Sequence, residues 1–336
     1  MSRLIITNGD AAAEILGAAG LGGRIVPWRD VLHEGPLIRT ERLEDFSAKR
    51  ATYLSRRFGI PFAEARTDFL ARDAVVRAHG LFDTVAIWLE HDLYDQLQLL
   101  QILDFFAAEQ RTEGLELVQA DDFLGSQRPE EVGRFAAGTL ALTPALLAAA
   151  AAIWRALCEP TPDVVRTLLG SVPAAFRFLA PALDRFVEEL PAVANGLSRS
   201  EQVIVGAVAG GGLSPRDVFR RMLASEEAAF MGDWSAFRIV DDLAGANEPP
   251  ITGPEDTYPC QGGKAEVEAY LAAPLALTDF GRSLLAGDAD MIEVNGVDRW
   301  WGGTHLEGRK CWRWDGASRR IVAPAAWAAR QRTEQE

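Results

Sequence analysis

Glu90-His91-Asp92 and Asp95 place three carboxylates and an imidazole within six residues, with Gln96 alongside. Like charges at that density repel one another. A cation, an arginine or a shared proton relieves the repulsion. Two further segments carry comparable groups. Asn8-Gly9-Asp10 offers an amide, a permissive backbone and a carboxylate, and Trp28-Arg29-Asp30 is followed by His33-Glu34 in a loop closed by Gly35-Pro36. The chemistry such a set supports is the holding of a divalent cation that meets phosphate oxygens, with proton transfer by imidazole near neutral pH.

Roles follow from residue type. Asp10, Glu90 and Asp92 are the candidate metal ligands, for Mg or Mn. His91, His33 and Glu34 are the candidates for proton transfer. Asn8, Gly9, Trp28, Arg29, Asp30, Asp95 and Gln96 are candidate ligand-binding residues. An acid after a first strand and an acid-x-acid pair after a later one resembles the layout of Toprim-type magnesium sites, a likeness of layout alone. Structural roles compete for the same residues. Asp10 suits the cap of a helix starting at Ala11. Asp92 and Asp95 suit the cap and third position of another helix, a variant capping box that leaves Glu90 and His91 without a role. Trp28 suits a core lid, with Arg29 pairing Asp30.

These segments gain force from the elements that must position them. Each follows a short apolar run: Leu4-Ile5-Ile6-Thr7, Arg24-Ile25-Val26, and Thr84 to Leu89. Strands at 3–8, 23–28, 84–90 and 115–120 alternate with helices at 11–19, 41–58, 61–79 and 93–109. Alternation of this kind implies a Rossmann-like α/β domain with a parallel sheet. In such sheets ligands bind beyond the carboxyl ends of the strands. Domain 1–140 therefore carries the candidate site. Residues 141–196 read as a helical connector, wholly helical over 141–190. Residues 197–336 open on a capping box, Ser198 with Glu201. Helices follow to Val208, from Ser214-Pro215, over 226–243 and at 277–285, and then short strands from Trp300 to Val322. Three helices followed by a hairpin is the order of a winged helix, so this part reads as a winged-helix-like α+β domain with a Trp-rich β-hairpin.

Composition narrows the class. The 336 residues are 48% apolar, enough for a sizeable core. The net charge of −14 argues against non-specific binding to a phosphate backbone. Arg309, Lys310, Arg313, Arg319 and Arg320 among the tryptophans are the exception, but tryptophan at that density more often seals a small core. Cys158, Cys260 and Cys311 are widely spaced and odd in number, and read as reduced thiols. With no apolar run long enough to span a bilayer and no signal-peptide pattern at the start, the expectation is a cytoplasmic protein with no membrane partner. P-loop, complete dinucleotide, zinc and nucleophile-elbow motifs are lacking.

The motifs Ile-Thr-Asn-Gly-Asp at 6–10, Pro-Trp-Arg-Asp-Val-Leu-His-Glu-Gly-Pro at 27–36 and Glu-His-Asp-Leu-Tyr-Asp-Gln at 90–96 resemble the bacterial family catalogued as domain of unknown function (DUF) 1835. Asn-Gly-Leu-Ser-Arg at 195–199, Phe-Met-Gly-Asp at 230–233 and the Trp-rich tail are similar to the C-terminal half of its longer members. The resemblance assigns no activity and no catalytic residue. The expected function is metal-assisted hydrolysis or phosphoryl chemistry on a small phosphate-containing ligand. The alternative is a ligand-sensing regulator whose C-terminal half contacts DNA or a protein. A small-molecule ligand is the expected partner, nucleic acid is disfavoured by charge, and a homo-oligomer is left open.

Overall fold

The structure, a computed structural model, describes residues 2–324. The stretch 325–336 of the expected C-terminal domain lies outside the described residues. The chain divides into two compact units. One comprises residues up to Asp184 with Gly302–Thr304, the other Arg185–Trp301 with residues from His305 onward.

The first unit is built on a five-stranded, mostly parallel sheet. Its strands are β1 (Arg3–Thr7), β2 (Arg24–Pro27), β3 (Thr84–Leu89), β4 (Leu115–Gln119) and β5 (Leu140–Ala141), in the order β2-β1-β3-β4-β5. The first four run parallel and β5 pairs antiparallel with β4. In register, Ile5 lies between Ile25 and Ala86, and Ile87 beside Leu117. Leu4, Ile5, Ile6, Val85, Ala86 and Ile87 are all fully buried, so both faces of the central strands are covered. Burial on both faces explains why these strands read as unbroken apolar runs.

The helices fall close to their sequence expectations: α1 (Asp10–Ala18), α2 (Leu43–Phe58), α3 (Phe62–Arg77) and α4 (Leu93–Ala108). Helix α1 buries Ala12 and Leu16 against Ile5, Ala86, Trp88 and Val118. Residues 141–184 pack within this unit, with α5 (Pro144–Leu157) lying against α4, and so do not stand apart as a connector. Their helicity is also interrupted. After α6 (Asp163–Leu168) the chain turns irregular near Val172-Pro173 and re-enters helix only at α7 (Leu179–Val187). Proline lacks the donor a helix needs. The backbone of Ala175 and Arg177 is instead bonded by the side chain of Gln119, a partner too remote in sequence to foresee.

In the second unit, α8 (Arg199–Ala209) begins at the expected capping box of Ser198 and Glu201, and α9 (Pro215–Ser225) at a second box of Ser214 and Asp217. The third helix, α10 (Asp233–Ala244), is shorter than 226–243 implied. Glu226 is held outside it by an ion pair with Arg185, and Gly232 becomes the cap. Two-residue strands β6 (Ile251–Thr252) and β7 (Ala276–Leu277) flank α11 (Lys264–Ala272). Then come α12 (Asp279–Ala286), α13 (Met291–Asn295) and strands β8 (Val297–Trp301), β9 (Thr304–Gly308), β10 (Arg313–Asp315) and β11 (Arg320–Val322). Ile204, Val208, Val218, Val240, Ile251 and Leu284 form its core. Trp301 stacks on Phe186 at 4.6 Å and donates to the Phe186 carbonyl, a sealing role. All three cysteines are free thiols. Among the described residues no helix is long and apolar enough to cross a membrane.

Candidate functional site

The strand order reverses between β1 and β3. From β1 the chain runs outward to β2 on one side and to β3 on the other, and the crevice beyond their carboxyl ends is where such sheets place ligands. Asn8 leaves β1 and Glu90 leaves β3 at that point.

Glu90, Asp92 and Asp95 converge there, each offering an oxygen within 4.8 Å of the others. They are 5%, 3% and 1% exposed. Local helix geometry brings them together. Asp92 caps α4 and accepts the N–H of Asp95 at 3.2 Å. Asp95, one turn on, folds back to accept the N–H of Glu90 at 2.7 Å. Asn8 donates its amide to Asp95 at 3.0 Å and also bonds Glu90. Glu90 further accepts the N–H of Leu124 at 2.7 Å. These donors are neutral. Among the described residues no ion pair includes any of the three carboxylates.

Burial raises the proton affinity of all three. It pushes Asp92 up to about 7, with the Glu90 charge adding to the effect. Asp95 is raised well above the ordinary range by burial and by Asp92 and Glu90. Glu90 is raised by burial, partly offset by its backbone donors. Three buried carboxylates with only neutral donors require protons or a cation. The three oxygens lie close enough together for one divalent cation to reach all of them. Gln96 donates to the Glu90 carbonyl at 2.7 Å, while its buried side-chain oxygen has no hydrogen-bond partner in the structure.

The remaining sequence candidates fall in different places. Asp10 does not join the cluster. Its carboxylate is 72% exposed and forms a bidentate ion pair with Arg29. Arg29 sits at φ 55, a left-handed turn, and pairs with Asp10 in place of the expected Asp30. Asp95, in place of Asp10, completes the cluster with Glu90 and Asp92. Gly9 is the extended cap residue of α1 at φ −155, so its freedom to adopt positive φ is not used. Trp28 is a core residue. It is fully buried, donates to Gln101 at 2.7 Å and carries the Arg72 guanidinium 4.1 Å from its ring. Asp30 is fully buried against Arg50 at 2.9 Å. Glu34 is held by Tyr53 and Arg57. His33 is buried with its ring 6.1 Å from Tyr94.

His91 is half-buried between Phe123 and Phe178, at 5.2 and 5.9 Å. Burial lowers its pKa against the pull of Asp122 and Asp121, so the imidazole is neutral near pH 7. Tyr94 was not singled out in the sequence. It lies under the field of Asp95, Asp30 and Asp92, and burial raises its proton affinity.

No protein-family model and no curated protein matches this chain.

Proposed function

We propose that the first unit holds one divalent cation, Mg or Mn, on Glu90, Asp92 and Asp95, and uses it on a small phosphate-containing ligand in the β1/β3 crevice. The observation that carries this reading is the burial of three carboxylates within 4.8 Å with only neutral hydrogen-bond donors. Asn8 orients two of the three. The unpartnered oxygen of Gln96 supplies an acceptor for a cation-bound water. The reaction class is metal-assisted hydrolysis or phosphoryl transfer, with neutral His91 as the proton acceptor. Membership of the DUF1835 family, on the three N-terminal motifs, belongs to the same proposal.

Calorimetric titration of Mn²⁺ and Mg²⁺ into the full chain tests it. Wild type is expected to bind one ion and Asp92→Asn to lose most of the affinity. Equal affinity in both removes the cation site.

A second reading treats the pocket as a sensor and the second unit as a winged-helix-like output domain. The three-helix core followed by short strand pairs favours it. A protein partner fits better than DNA, because Arg313 is committed to Asp290 and Arg309 to a backbone carbonyl. Salt-dependent DNA shifts abolished by neutralising Arg319 and Arg320 would reverse that preference.

A further inference from the structure

A cleft of about 550 Å³ opens at the carboxyl end of β4, lined by Gln119, Asp121, Asp122, Arg134, Phe135 and Arg177. Its volume lies in the range of small-molecule sites, roughly 300–1,000 Å³. The wall is built from within. Gln119 is buried, and both ends of its amide are committed: it donates to the Ala175 carbonyl at 2.9 Å and accepts the Arg177 N–H at 2.8 Å. That clamp fixes the backbone from which Arg177 projects. Each guanidinium rests on an aromatic ring, Arg177 at 4.9 Å from Phe178 and Arg134 at 4.6 Å from Phe135. Stacking of this kind limits the rotamers a planar cation samples.

The charged groups differ in engagement. Asp122 accepts the Phe123 N–H and pairs with Arg134 at 3.2 Å, and Arg134 also donates to Gln127. Among the described residues, Arg177 has no carboxylate partner, and Asp121 takes no hydrogen bond or ion pair. One wall therefore presents a fork of guanidinium donors suited to an oxyanion, and a carboxylate that accepts only from a donor such as a hydroxyl. Asp122 also acts electrostatically on Glu90 and His91, so the cleft adjoins the carboxylate cluster.

We infer that this cleft binds a hydroxyl-bearing phosphate ester, its phosphate on Arg177 with Arg134 in support and a hydroxyl on Asp121. The inference rests on the phosphate part of the proposed function but not on the cation, and it names the ligand class.

Ribose 5-phosphate and inorganic phosphate, titrated calorimetrically into the full chain with chelator present, test it apart from the metal. Wild type is expected to bind ribose 5-phosphate more tightly than phosphate. Arg177→Gln is expected to weaken both about tenfold, the worth of one charge-assisted hydrogen bond. Asp121→Ala is expected to weaken only the sugar phosphate and to leave phosphate binding equal or tighter. Both side chains are exposed, so the variants keep the fold. Wild-type affinity in Arg177→Gln, or no binding of ribose 5-phosphate to wild type, overturns the inference. Sugar-phosphate binding without any Mn²⁺ binding keeps it and removes the cation site instead.

Discussion

Replacing Asp92 by Asn separates the charge of the cluster from its shape. Asn is close in size and is an equally good helix cap, so the bond to the Asp95 N–H survives. What disappears is a carboxylate that burial has pushed from 3.8 to about 7. That shift is about 3 pH units, each about 1.4 kcal/mol, so holding the group ionised costs on the order of 4 kcal/mol. The folded-state pKa is the raised one. The stabilising contribution of the protonated form is therefore fully present below about pH 4 and is lost as pH rises through about 7. In chelator, wild type and Asp92→Asn are expected to match near pH 4, and the variant to be more stable by about 2–4 kcal/mol at pH 9. Hydrogen exchange of the α4 amides reads this locally, free of the second unit's unfolding. Added Mn²⁺ is expected to restore wild type alone, by about 2.7 kcal/mol at a hundred times Kd. A variant less stable than wild type at pH 9, with an unchanged pH slope, would refute the reasoning.

Two further outcomes follow from the same contacts. Asn8→Ala removes the amide shared by Asp95 and Glu90. It should cost about 1–3 kcal/mol of stability above pH 7 and weaken Mn²⁺ binding, measured by denaturation and calorimetry. Arg50→Met strands the fully buried Asp30 and should destabilise the first unit by about 3–5 kcal/mol, with Asp30→Asn in the same chain recovering part of the loss; urea unfolding checks both.

The strands and most helices of the first unit were legible because burial on both faces leaves an unbroken apolar signature in β1 and β3. The short edge strand β5 carries no such signal, since two residues cannot show a period. The location of the site was legible from Asn8 and Glu90, both at strand ends. Its membership was less so. Asp95 reads as a capping residue, and in the structure the cap geometry is what returns its carboxylate to Glu90, so the capping role and the proposed cation-holding role coincide. Asp10 has the right residue type at the right strand end, but the left-handed turn at Arg29 delivers a guanidinium to it. Gln119 and Arg177 lie 58 residues apart and join through side chain and backbone, which no local pattern encodes.

The most direct test counts Mn²⁺ by electron paramagnetic resonance in wild type, Asp95→Asn and Asp10→Asn. One tightly bound ion per chain is predicted for wild type and Asp10→Asn, and none for Asp95→Asn. No bound ion in wild type, or retention in Asp95→Asn, contradicts a cation held between Glu90, Asp92 and Asp95.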